Sequence, residues 1–106
     1  MSHQLDQEVQ ALAAQANIRL RAYDLPAYLD RYTVVYDDGA DRLDYIGMNA
    51  SPFHPQGFGQ HGEIQRRNVG SHLGKKIAVT SLPEDCKRLV AQDLRCITEP
   101  IVEPAS

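Results

Sequence analysis

Two runs of alternating apolar residues flank an Asp-Gly dipeptide, and this pattern constrains the fold more than any other feature. Residues 32–37 alternate Tyr, Val and Tyr with Thr, Val and Asp, and residues 43–48 alternate Leu, Tyr and Gly with Asp, Ile and Met. Such alternation is typical of β-strands. Asp38-Gly39 between the runs is a strong turn signal. The segment therefore predicts an antiparallel β-hairpin.

The length of the hairpin turn decides which residues pair, and the sequence leaves two registers open. A two-residue loop at Asp38-Gly39 sets Val34 against Leu43. A four-residue loop sets Tyr36 against Leu43 and Val34 against Tyr45. Both registers keep the same apolar face together, so the pattern does not choose between them.

Helical periodicity precedes and follows the hairpin. In residues 2–16, apolar residues recur at intervals of three and four, which predicts an amphipathic helix. Residues 76–80 predict a short third strand with Ile77 and Val79 on one face. Ser81 and Glu84 then form a capping-box pattern at the start of a second helix, with Pro83 in its first turn. The predicted buried positions of this helix are Cys86, Leu89, Val90, Leu94 and Ile97.

These elements predict an α+β fold: a small antiparallel sheet, made of the hairpin and a third strand, with an N-terminal and a C-terminal helix and a long central loop. The chain has 106 residues, which is the usual size of one domain. We expect a single domain over residues 1–97 and a frayed tail over residues 98–106. Hydrophobic residues make up 42% and charged residues 24%, which is ordinary globular composition and argues against disorder.

Compartment and redox state follow from what the chain lacks. No apolar run approaches the ~20 residues of a membrane span, so we expect no membrane association. The first ten residues carry neither a basic nor an apolar signal region, which predicts a cytoplasmic location.

Cys86 and Cys96 are ten residues apart in the predicted helix, a rise of about 15 Å. Disulfide partners need Cα atoms within about 7 Å, so we expect two free thiols.

The central loop, residues 49–74, has no clear period and is the predicted functional segment. It holds five of the seven glycines and three of the four histidines. Unstructured loops of this length are uncommon in small domains and usually serve a function. The predicted ligand- or partner-binding residues lie in it: Asn49, His54, Gln56, Gly57, Gly59, Gln60, His61, Arg66, Arg67 and His72.

The loop is locally basic on an acidic protein. Residues 49–76 contain four Lys and Arg residues against one Glu, whereas the whole chain carries a net charge of −3. A solvated surface explains such a pattern most simply, and a patch for an anionic partner is the alternative. In the second case, Arg66 and Arg67 would supply the charge.

Four interpretations of the loop remain open. His54, His61 and His72 could converge with Glu63 on a metal, although the spacing lacks any zinc-ligand signature, so we expect neither metal nor cofactor. One histidine could act as a general acid or base in a small hydrolase. The glycines could let backbone amides approach a phosphate or nucleotide. Finally, the loop could simply fold on itself, with both phenylalanines, Phe53 and Phe58, buried in the core.

Five short strings resemble a family of small, poorly characterised proteins encoded by phages, prophages and plasmids. The resemblance covers about residues 30–94, and its most specific part is the string HPQGFGQ at 54–60. The strings occupy residues 31–36, 47–49, 54–60, 72–77 and 82–86. This resemblance implies a non-enzymatic accessory protein of a mobile element that binds a host protein or nucleoprotein, as an inhibitor of a host defence system does. Binding of an anionic or nucleotide ligand is the alternative implied by the residues themselves.

Overall fold

The computed structural model describes residues 2–26, 28–57 and 59–98, with side chains from Gln4 onwards in those ranges. It confirms the α+β class, with a helix before and a helix after one antiparallel sheet. The helices are α1 (Ser2–Gln15) and α2 (Glu84–Thr98); the strands are β1 (Arg19–Asp24), β2 (Tyr32–Asp37), β3 (Arg42–Met48), β4 (Gly59–Gln65) and β5 (Lys75–Ile77). No helix in the described ranges is both long enough and apolar enough to cross a membrane.

The sheet has the order β4-β3-β2-β1-β5, so its first four strands form a meander and β5 pairs with β1. Both helices pack on one face. The main hydrophobic core lies between them and that face, and includes Val9, Val34, Ile46, Val90 and Leu94. The helix positions follow a period of about 3.6 and were predicted from it, whereas Ile46 was predicted on the opposite face of the sheet.

The opposite face of the sheet has no helix over it in the described chain. Tyr23, Val35 and Leu43 form a second, smaller buried cluster there. Val69 and Leu73, from the short segment that links β4 to β5, pack against this cluster. Two 3-10 turns, Arg66–Asn68 and Ser71–Leu73, shape that segment. The connecting segment therefore covers apolar residues on this face of the sheet, as the two helices do on the other face.

An ion pair with little exposure to solvent joins the two helices. Lys87 of α2 is only 3% exposed, and its Nζ lies 2.8 Å from Oδ1 of Asp6 on α1. A second ion pair, between Arg95 and Glu8, connects the same helices nearer the surface. The sequence analysis did not anticipate that the charge of Lys87 would be buried.

The structure contains two strands that the sequence analysis missed. β1 begins at Arg19, two residues after Asn17, which turns the chain out of α1 with a φ of 55°. β4 lies inside the segment that we predicted to be a 26-residue loop, so the prediction of an unbroken loop over residues 49–74 is wrong. Its sequence has two glycines and no β-branched residue except Ile64, and therefore gave little strand signal.

Both hairpin registers predicted from the sequence are wrong. β2 and β3 pair Tyr32 with Met48, Val34 with Ile46 and Tyr36 with Asp44. Relative to the four-residue-loop register, the pairing is shifted by one residue. A shift of one moves every side chain of a strand to the other face, so Ile46 and Met48 enter the main core instead of Leu43 and Tyr45.

The start of the second helix also differs from the prediction. α2 begins at Glu84, and the amide of Lys87 donates to the carbonyl of Pro83 at 3.1 Å. Ser81 is exposed and ends a separate 3-10 turn, Val79–Ser81, so the predicted capping box does not form. The third strand is correspondingly shorter than predicted and ends at Ile77. Thr98 is the last residue of α2, and residues 99–106 of the predicted tail lie outside the described residues.

Candidate functional site

The connection from β3 to β4 is folded on itself by local hydrogen bonds. The Asn49 side chain accepts a bond from the Ser51 amide, and Nδ1 of His54 accepts one from the Gln56 amide, both at 3.1 Å. The main chain closes two further turns, from His54 to Ser51 and from Gly57 to His54. Asn49 and His54 therefore use their side chains to shape the loop, while Gln56 is exposed.

Gly57 is required by this loop rather than by a ligand. A Cβ atom at Gly57 would lie 2.1 Å from the carbonyl oxygen of Ser51, so no other residue fits without moving the backbone. Gly59 and Gly62 lie beyond the loop in extended β4. The three glycines of the phosphate-binding hypothesis are thus divided between a turn and a strand and do not form one cradle.

His61 is held against α2 by an acidic side chain. Its Nε2 lies 2.9 Å from both carboxylate oxygens of Asp93, and the Tyr36 hydroxyl donates to Oδ2 of the same carboxylate at 2.6 Å. Burial and the neighbouring Asp93 carboxylate raise the pKa of Tyr36 far above its usual value, so this hydroxyl stays protonated and remains a donor. The sequence analysis did not name Asp93 or Tyr36 as site residues.

The Asp93–His61 pair is the orienting half of a general-base arrangement, with Nδ1 left free of the carboxylate. The imidazole is 60% exposed and lies on an open strand. It borders none of the three clefts described for this chain. The geometry can orient an imidazole, but it does not enclose a substrate beside it.

Arg66 is not the free cation that the sequence analysis predicted. Its guanidinium binds Asp37 through two hydrogen bonds of 2.9 and 2.5 Å, and its Nε donates to the carbonyl of Ala40. Arg21 approaches the same carboxylate at 3.1 Å. The hydrogen bond from Arg66, supported by the Gly39 amide, holds the pKa of Asp37 well below its usual range. The charge of Arg66 is therefore compensated by Asp37 within the protein.

A basic cleft of about 550 Å³ nevertheless opens beside Arg66, at the turn between β2 and β3. Arg42 and Arg67 line it and are exposed, together with Asp41 and Gln65. Neither Arg42 nor Arg67 has a carboxylate oxygen within 4.0 Å among the described residues. Two arginines free to bind an anion are thus grouped here, and only Arg67 was predicted.

The three loop histidines do not converge. His54 lies in the β3–β4 loop, His61 in β4 and His72 in the exposed turn before β5. Across residues 2–26, 28–57 and 59–98, no group of three or more His, Cys, Asp or Glu side chains is placed to hold a metal ion. The metal hypothesis therefore has no geometric support in those ranges.

Large apolar side chains are exposed at one end of the sheet, where the β1–β2 and β3–β4 connections leave it. We call the described residues of these two connections, within 25–31 and 49–58, the loop end. Tyr28, Leu29 and Phe53 are 60%, 66% and 53% exposed there. The predicted burial of Phe53 is wrong, and Phe58 lies outside the described residues.

The sequence analysis missed Tyr28 and Leu29, although two large apolar residues shortly after a proline in a short connection are a usable signal. Of the ten predicted site residues, four lie at the loop end: Asn49, His54, Gln56 and Gly57. Gly59, Gln60 and His61 lie along β4, and Arg66, Arg67 and His72 follow it. No family model, no curated protein and no solved structure matches this chain.

Proposed function

We propose that the protein is a non-enzymatic binding protein that docks on a host protein or nucleoprotein through its loop end. One observation carries this proposal. Among the described residues, four large apolar side chains are exposed, and three of them, Tyr28, Leu29 and Phe53, lie in the two connections at the same end of the sheet. Exposed apolar groups collected in one region mark interaction surfaces more often than scattered ones do.

The chemistry of these side chains suits a protein partner. Tyrosine and phenylalanine are enriched in the central parts of protein interfaces, where they fill pockets of the partner. Phe53 also borders a cleft of about 360 Å³ between the helices, with Arg88 and Arg95 on its rim. Arginine is the charged residue that interfaces favour most. The meander and the two helices supply a rigid base for the loops.

The role in the host follows from the resemblance to accessory proteins of phages, prophages and plasmids. A small rigid domain can inhibit by occupying a surface that its target needs, without chemistry of its own. We therefore propose that the target is a component of a host defence system. The local closure of the β3–β4 loop by its own hydrogen bonds supports this mode, because a preformed loop loses little entropy on binding.

The test is capture of the partner from a lysate of the host cell with the tagged full chain. Phe53→Ala and the double variant Tyr28→Ala, Leu29→Ala remove the exposed apolar groups. Ile97→Ala is the matched control, because Ile97 is the fourth exposed large apolar residue and lies near the C-terminal end of α2. The prediction that Ile97 is buried is therefore wrong. We expect the loop variants to lose the captured protein while their melting temperatures stay close to that of the wild type.

The opposite pattern would refute this surface. If the loop variants capture the same protein as the wild type, or if Ile97→Ala alone loses it, the partner does not dock at the loop end. Surface truncations of this kind change stability by less than about 0.5 kcal/mol, so unfolding should not confuse the result.

The arginine cleft supports a second candidate function, binding of a phosphate-bearing ligand. Arg42 and Arg67 are exposed beside Arg66, and arginine forks match phosphate oxygens well. Titration calorimetry with nucleotides would test it. Binding that weakens in Arg67→Ala and in Arg42→Ala, but persists in Phe53→Ala, would favour this candidate over docking at the loop end.

A further inference from the structure

The two edges of the sheet are built differently. The β5 edge is three residues long and carries Lys75 and Lys76, which is how natural proteins prevent an edge from pairing with another strand. The β4 edge is seven residues long and contains neither lysine nor proline. Its side chains are exposed or half-buried throughout. One edge is thus protected against pairing and the other is not.

The hydrogen-bond phase of β4 shows which backbone groups are free. The amide of Arg66 donates to the carbonyl of Asp41 at 2.7 Å, one step beyond the pairing of Gln65 with Arg42. Directly opposed pairs in an antiparallel ladder alternate between bonded and non-bonded. The outward-facing N–H and C=O groups therefore belong to Gly59, His61, Glu63 and Gln65. This set is symmetric about Gly62.

Glu63 lies in an unfavourable position within the single chain. Its cross-strand partner in β3 is Asp44, and like charges directly opposite each other destabilise a sheet. Among the described residues, no basic side chain lies within 4.0 Å of Glu63. The nearest cation-forming residue along its own strand is His61, on the same face. Glu63 therefore lacks the complementary charge that a strand on its other side could supply.

We propose that the protein forms a two-fold symmetric dimer in which β4 pairs antiparallel with β4 of a second copy, centred on Gly62. This register places His61 opposite the partner's Glu63 and Glu63 opposite the partner's His61. Gly59 then faces the partner's Gln65. Only this register pairs all four outward-facing residues of one strand with those of the other. The pairing forms roughly eight hydrogen bonds.

The side chains are compatible with this pairing. The two copies of Gly62 meet at the axis, where the absence of side chains permits close approach of the strands. His61 uses Nε2 for Asp93, which leaves Nδ1 and an exposed ring edge for the partner's carboxylate. The dimer sets the imidazole of His61 between two carboxylates, those of Asp93 and of the partner's Glu63, and an imidazole that carries both ring protons donates to each of them. The two five-stranded sheets become one continuous sheet.

Sedimentation equilibrium of the full chain at several concentrations tests the proposal. We expect twice the chain mass for the wild type at concentrations of roughly 100 μM, a range in which even weak specific association is populated. Glu63→Lys removes the carboxylate that faces the partner's His61 at both ends of the symmetric contact, and should therefore raise the dissociation constant by at least about tenfold. His61→Lys keeps the attraction to the partner's Glu63 and should preserve the dimer.

Glu84→Lys is the control, because it makes the same charge change on the first turn of α2 and not on β4. It should leave the dimer intact. A wild-type chain that stays monomeric across the range overturns the proposal. A dimer that Glu63→Lys and Glu84→Lys weaken equally also overturns it, because the contact would then depend on net charge and not on β4.

Discussion

The carboxylate of Asp37, at the end of β2, is held by two hydrogen bonds from the guanidinium of Arg66, directly after β4, at 2.9 and 2.5 Å. β3 lies between these two strands, so the pair ties the sheet together across an intervening strand. Asp37 is buried and also accepts a bond from the Gly39 amide within the turn. One side chain thus fixes the β2–β3 turn and the end of β4.

Asp37→Asn should lower the free energy of unfolding by about 1–3 kcal/mol, because hydrogen bonds to a charged group are worth more than neutral ones. Urea denaturation measures this loss. Asp38→Asn is the matched control at the exposed neighbouring residue and should change stability by less than about 0.5 kcal/mol. Equal effects of the two substitutions would show that the ion pair adds nothing to the turn.

Acid should weaken the protein through the same residue. The pKa of Asp37 is held below its usual range in the folded state, mainly by the bond from Arg66. A depressed folded-state pKa gives stability that is complete above the unfolded-state value, near 3.9, and is lost as the pH falls through the folded-state value. We expect the wild type to lose stability below about pH 4, and Asp37→Asn to lose less over the same interval. Parallel pH profiles would contradict this assignment.

Tyr36→Phe should destabilise the protein by about 1 kcal/mol, since it removes the buried hydrogen bond to Asp93 and leaves the ring in place. Tyr45→Phe is a suitable control, because Tyr45 is half-buried and packs its ring over Gly62. Thermal unfolding of both variants should separate them. A loss for Tyr45→Phe as large as that for Tyr36→Phe would mean that the Tyr36–Asp93 bond contributes little.

Lys87→Met should cost about 3 kcal/mol, because it leaves the Asp6 carboxylate without its partner in a largely buried position. The double variant Asp6→Leu, Lys87→Met should recover most of that loss, since two apolar residues replace the whole pair. A double-mutant cycle in urea measures the coupling. If the losses of Asp6→Leu and Lys87→Met alone add up to the loss of the double variant, the two charges do not interact.

The native protein should expose one reactive thiol and the denatured protein two. Cys86 is buried and donates its S–H to the Asn49 carbonyl at 3.2 Å, and burial raises the pKa of this thiol to about 12. Cys96 is exposed. Since the thiolate is the reactive form, a thiol reagent at neutral pH should count one fast equivalent without denaturant. Two fast equivalents in the native state would contradict the burial of Cys86.

The sequence predicted the α+β class and both helices because their apolar residues follow one period. It failed on the hairpin register because all six residues of β2 are buried. Val35 is as buried as Val34, so alternation does not reveal which face meets the helices. β4 escaped prediction because its side chains are only exposed or half-buried, and such an edge strand needs little apolar alternation.

The candidate site was predictable only in part, for a related reason. His54 and Asn49 accept hydrogen bonds from backbone amides two residues ahead, so their side chains shape local turns. Arg66 is neutralised by Asp37, 29 positions earlier in the chain. No local pattern encodes such a pairing. The exposure of Phe53 could not be predicted from its apolar side chain, since an aromatic residue in a loop more often anchors the loop to the core.

The two helices share one face of the sheet, and this arrangement sets the order in which the protein can mature during synthesis. α1 and all five strands precede α2 in the chain, so the ribosome releases them first. Until α2 emerges, Val34, Ile46 and Met48 are only partly buried. The Asp6 carboxylate then also lacks its ion-pair partner, Lys87. One face of the sheet therefore remains partly exposed while α2 is being synthesised. During this time a chaperone can bind the exposed apolar surface.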